Sequence, residues 1–76
     1  MTAYSIIDGV PALTVNDWCQ SGLTYRQYCY DRRNGDVKIL RRGVRGETVI
    51  DARSIRRADR LRVIERVMGR VPGTGA

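Results

Sequence analysis

Apolar positions along this chain follow two rhythms, and the places where one gives way to the other mark its elements. Tyr4, Ile6, Ile7, Val10 and Leu13 surround an Asp8-Gly9 turn signal, with Pro11 interrupting, which predicts a short extended arm packing its apolar residues onto a domain. Thr14-Val15-Asn16-Asp17 has the order of an N-cap followed by an acidic third position, opening a short helix through Trp18 and Cys19 that ends at Ser21-Gly22. Thr24-Tyr25-Arg26-Gln27 makes a better capping box, because Gln27 can reach back to the cap while Thr24 accepts from the first turn. A second helix is therefore predicted from Tyr25 to Arg33, stopped by Asn34-Gly35. Residues 37–40 and 48–50 are β-branched enough for two strands. The last element is predicted to open at Ser54 as N-cap, with Ile55, Ala58, Leu61, Ile64, Val67 and Met68 as its apolar stripe. Arg56, Arg57, Arg60, Arg62 and Arg66 then fall outside the stripe, on a solvated face steadied by Asp59 and Glu65.

Two short helices joined by a tight glycine-containing turn form a helix-turn-helix, whose second helix is the one that enters a major groove. On that helix Arg26, Tyr30 and Arg33 fall on one stripe, while Tyr25 and Cys29 fall on a neighbouring face suited to the core. At least one of Tyr25, Tyr28 and Tyr30 is expected at the edge of the core. Between the two strands lies the run Leu40-Arg41-Arg42-Gly43-Val44-Arg45-Gly46-Glu47-Thr48, read as a hairpin tip. Gly43 and Gly46 are expected to turn the backbone with positive φ, leaving Arg41, Arg42 and Arg45 at a tip that a phosphate-rich polymer can approach closely.

Charge sharpens that expectation. The 76 residues carry 14 Lys and Arg against 8 Asp and Glu, a net charge of +6 and a pI near 10.2. All 14 cations lie between Arg26 and Arg70, where 6 carboxylates oppose them and leave +8, whereas the first 25 residues, with Asp8 and Asp17, carry −2. Such an asymmetry predicts one positive face rather than a uniformly charged surface. Lys38 is the single lysine, and the preference for arginine suits bidentate contacts to phosphate and guanine.

The length allows one domain with one modest core. It divides into an arm at 1–13, a body at 14–68 and a glycine-rich tail or linker at 69–76. No apolar run approaches a membrane span and no signal pattern opens the chain, so a cytoplasmic, nucleoid-associated location in a bacterium or phage is expected. With no histidine, Cys19 and Cys29 cannot complete a four-ligand zinc site, and they read as two reduced thiols used as small apolar residues. Asp31 and Asp36 read as salt-bridge partners or caps rather than metal ligands. No general base, nucleophile elbow or Walker loop is present. The chain is therefore expected to be no enzyme and to use no cofactor, metal, membrane or small-molecule substrate.

Helix, turn, helix, hairpin and third helix is the layout of an α+β winged-helix fold, in which a helix-turn-helix is joined by a two-stranded β wing and a C-terminal helix. Arg42-Gly43-Val44-Arg45-Gly46, then Val49-Ile50-Asp51, then Ser54-Ile55 opening a helix, resembles the wing and following segment of the N-terminal DNA-binding domain of phage Mu-type transposases, and the related Mu repressor domain is similar. The likeness covers roughly residues 14–66. It departs at Arg56, where that family often places a proline. It implies a DNA-binding domain of a transposase or related mobile-element protein active in transposition, recombination and integration, docking its second helix and wing on adjacent grooves. It also implies a metal-dependent catalytic domain as a partner, carried downstream in a full-length transposase. The expected contacts to double-stranded DNA are Thr24, Arg26, Gln27, Tyr30 and Arg33 from the helix, and Lys38, Arg41, Arg42, Gly43, Arg45 and Gly46 from the wing. A stand-alone excisionase-like or repressor-like regulator is the nearest alternative. An RNA- or ribosome-associated module and a recruiter of an acidic protein partner are alternatives of other classes.

Overall fold

Local capping rules set the two short helices. In the computed structural model, which describes residues 4–72, α1 spans Val15–Gln20 and α2 spans Tyr25–Arg33. Each opens on a reciprocal box: Thr14 Oγ1 accepts the Asp17 N–H at 3.1 Å while Asp17 accepts the Thr14 N–H at 3.0 Å, and Thr24 and Gln27 repeat the exchange at 3.0 and 2.8 Å. Each box satisfies donors that a helix start would otherwise leave open. Between the helices Gly22 takes φ +113°, and the Trp18 indole donates to Thr24 O at 2.9 Å, so the turn is held by a buried side chain. Trp18 also meets Tyr28 edge to face, with ring centroids 6.1 Å apart.

The strands form a single antiparallel sheet in the order β1-β2-β4-β3, with β1 at Ser5–Ile7, β2 at Val10–Thr14, β3 at Ile39–Arg42 and β4 at Thr48–Asp51. The fold is thus α+β, with three helices against a four-stranded sheet rather than against a two-stranded wing alone. The segment expected as an extended arm is a hairpin, and β2 sits inside the sheet, opposite β4 with Leu13 on Ile50 and Thr14 on Val49. Pro11 is tolerated there because it pairs only with Ile6, beyond the β4 register, where β2 has a neighbour on one side. Leu13 and Ile50 join the helix-side core with Trp18, Tyr28, Val37, Ile64, Met68 and Val71.

The C-terminal element departs from expectation. Ser54 does not open a helix: its hydroxyl donates to Asp51 O at 2.6 Å and accepts the Lys38 N–H at 2.8 Å, closing a 3-10 turn at Ala52–Ser54 against the start of the hairpin. Lys38 keeps one cross-strand bond, from the Asp51 N–H to its carbonyl at 3.1 Å, but its own N–H goes to Ser54 Oγ, and regular β3 pairing starts at Ile39 and not at 37. Helix α3 then runs over Ala58–Met68, capped by Arg57 without a side-chain bond. The later start changes which residues pack. Arg60, Ile64 and Met68 are buried, Leu61 and Val63 pack partly against the core, and Ala58 and Val67 face solvent, contrary to the stripe expected of them.

Arg60 goes inward because a carboxylate waits for it. Asp31 of α2 is fully buried and accepts Arg60 Nε at 3.0 Å and Nη2 at 3.4 Å. Asp59 receives Arg60 Nη1 at 3.2 Å and both Arg57 donors at 3.1 Å, so the solvated pairing expected along α3 is drawn to its first turn. The Arg57 hydrogen bonds hold the Asp59 carboxyl below its usual range and raise the Arg57 guanidinium. Past Gly69 the chain stays packed. Val71 is buried, its N–H reaches Glu65 at 3.4 Å, and the Tyr4 hydroxyl donates to Gly69 O at 2.9 Å. Burial, aided by Glu65, pushes that phenol up to about 12. The expected tail at 69–76 is therefore part of the body as far as Val71, and residues 73–76 lie outside the described chain.

Candidate nucleic-acid interface

Helix α2 buries Tyr28 and Asp31. At about 100° per residue, Arg26 and Tyr30 lie about 200° from Tyr28, and Arg33 the same angle from Asp31. All three are exposed, so one outward stripe of two guanidinium groups and a phenol stands opposite the buried stripe. Tyr25, placed toward the core by its spacing, is instead 61 % exposed; it leans on Tyr28 with centroids 5.7 Å apart, and its hydrogen bond with Cys29 raises its phenol above the ordinary range. Cys29 packs partly against the core, Cys19 is exposed, and both thiols are free. The apolar role read for Cys19 is therefore not what its position provides. Thr24 and Gln27 spend one oxygen each on the capping box, which leaves the Gln27 amide NH2 and the Thr24 O–H as donors at the start of the stripe.

The hairpin tip is built by hydrogen bonds of its own backbone. Gly43 N–H donates to Glu47 O at 2.7 Å and Gly46 N–H donates to Gly43 O at 3.0 Å, enclosing Val44, Arg45 and Gly46 as a three-residue loop. Only Gly46 is left-handed, at φ +81°. Gly43 is not, and its lack of a side chain matters for a different reason: a Cβ there would collide with the Glu47 carboxylate, which folds back to accept the Arg45 N–H at 2.9 Å. Val44 is fully exposed at the tip and Arg45 beside it is exposed too.

Side chains of the expected wing set part company. Arg42 reaches back to Gly46 O at 3.3 Å and stays with the tip. Arg41 pairs with Val49 across the strands, donates its Nε–H to Arg42 O at 3.3 Å, and lines a groove of about 240 Å³ with Ser5, Ala12, Asp17, Val44 and Glu47. Lys38 is exposed at the root of the hairpin, with its backbone N–H held by Ser54. The structure therefore gathers Arg26, Tyr30 and Arg33 on α2 and Arg42, Val44 and Arg45 at the tip, with Arg41 beside the tip along the groove. Sequence reasoning passed over Val44 and Glu47 as agents at the tip. Their signal was position alone, one central in the loop and the other the first residue after its left-handed glycine.

Among the described residues no group of three or more His, Cys, Asp or Glu is placed to hold a metal ion, and no helix is long and apolar enough to cross a membrane. Comparison with protein-family models, with curated proteins and with solved structures finds no match to this chain.

Proposed function

We propose that this chain is a sequence-preferring, double-stranded DNA-binding domain of winged-helix type, with α2 in the major groove and the β3–β4 tip on the adjacent minor groove or backbone. The observation that carries the proposal is the outward stripe Arg26, Tyr30 and Arg33 on a helix that is capped at its start and pinned from behind by the buried Asp31–Arg60 pair. Arginine forks read guanine edges bidentately, and a helix held at both ends presents them in fixed register. The glycine-bounded tip supplies Arg42 and Arg45 for phosphate or minor-groove contact. Service within a transposase or other mobile-element protein, or as a stand-alone regulator of one, is the context that the likeness of residues 42–55 to Mu-type domains supports.

The test separates the two parts. Replacing Arg26 or Arg33 by alanine should weaken preferred duplexes about 5- to 150-fold more than random ones, as expected for a base-edge contact of about 1–3 kcal/mol. R42A/R45A should lower affinity for both kinds of duplex with an unchanged thermal midpoint, since exposed loop charges contribute little to stability. Fluorescence anisotropy with preferred duplex, random duplex and structured RNA checks all three. Equal losses on every duplex would reduce α2 to a backbone anchor, and tighter capture of RNA would overturn the DNA reading.

A further inference from the structure

The proposed reading uses α2 and the hairpin tip and leaves the outer face of α3 without a role. Arg62 and Arg66 are each two residues from the buried Ile64, about 200° around the helix from it, and both are exposed. They stand one turn apart on the same face, and Arg70, also exposed, follows just past Gly69. Among the described residues the nearest carboxylates form no ion pair with them. Asp59 is taken by Arg57 and Arg60, and Glu65 accepts the Val71 N–H. Among the described residues neither Arg62 nor Arg66 has an ion pair or side-chain hydrogen bond. Like charges at this spacing repel and weaken a helix. A face of this kind is neutralised well by a polyanion, and arginine rather than lysine suits phosphate oxygens.

Its direction matters as much as its charge. Tyr28 of α2 and Ile64 of α3 belong to one core, and Asp31 and Arg60 join the two helices from inside it. The outward stripe of α2 and the outward face of α3 therefore each look away from that shared interior. We infer that Arg62, Arg66 and Arg70 form a second, sequence-independent phosphate-binding surface that holds a second segment of duplex DNA, so that one copy of the chain bridges two duplexes. This rests on the DNA-binding reading of α2 and extends it to an unassigned surface.

The experiment uses two short duplexes, one carrying a donor dye and one an acceptor, with single-duplex binding followed by anisotropy in the same low-salt buffer. The native chain should bind one duplex and, on addition of the second, give energy transfer between them. R62S/R66S/R70S should keep its thermal midpoint, its sequence preference and its affinity for a preferred duplex within about threefold, yet lose at least nine-tenths of the energy transfer. R26A/R33A should lose sequence preference while retaining weak binding of random duplex through α3. Native protein that binds one duplex but gives no energy transfer at any ratio overturns the inference and leaves the DNA reading standing. Energy transfer that survives in R62S/R66S/R70S overturns it as well, placing the second duplex on another surface or on a second copy of the chain. Native protein that binds no duplex overturns both.

Discussion

Arg60 shows how far a single residue can depart from its local setting. In sequence it is one of several arginines on the polar side of an amphipathic run, and every neighbour within a turn supports reading it as solvated. Its partner Asp31 is 29 positions away, and no periodicity connects the two. Pairing it with a fully buried carboxylate turns a surface residue into the joint between α2 and α3. Removing one partner leaves the other charge buried without compensation, which costs about 3–5 kcal/mol. Asp31→Ala should fall near the lower figure, because Arg60 keeps its bond to Asp59. The expected result in a thermal melt is a midpoint lower by more than about 10 °C, at about 4–8 °C per kcal/mol for a domain of this size. A fall of only a degree or two would mean that the pair is not the joint it appears in the fold.

Elements whose rules are local were legible in full. Thr14 with Asp17 and Thr24 with Gln27 need only four consecutive residues to declare a helix start, and both boxes form with both bonds present. Elements whose rules are tertiary were not. Ser54 has the composition of a cap, but the nearest backbone it can serve belongs to Asp51 and Lys38, and α3 opens later as a result. The first thirteen residues showed extended character and gave no sign that β4 would dock beside them. The hairpin tip was legible in place and only partly in mechanism, since Gly46 alone carries the left-handed backbone. Gly46→Val should therefore destabilise the chain by about 1–2 kcal/mol, because a Cβ opposes that conformation even though nothing crowds the site. Gly43→Ala should instead displace the Glu47 carboxylate and expose the Arg45 amide, with a smaller effect on the midpoint. Amide hydrogen exchange at Arg45 distinguishes the two, with faster exchange expected in the Gly43 variant and a lost thermal shift in the Gly46 variant counting against this account.

For the whole molecule, charge and core pull apart. The core takes Tyr4 and Leu13 from the acidic first quarter and Ile64, Met68 and Val71 from the basic last one, so segments of opposite net charge are brought together before any partner is met. What remains outside is the excess of arginine. If five or so of these side chains displace counterions from one duplex, the logarithm of affinity should fall against the logarithm of salt with a slope of about −4 to −5. A slope near zero across moderate salt would remove charge as the source of binding. The position of β2 carries one more consequence. It lies between β1 and β4 in the sheet, and Tyr4 is bonded to a carbonyl 65 positions later. The β1–β2 hairpin has no second neighbour until β4 is in place, and contacts of such long sequence separation form slowly because the intervening chain must first lose its freedom. The sheet should accordingly assemble cooperatively, with β1 and β2 waiting on β4.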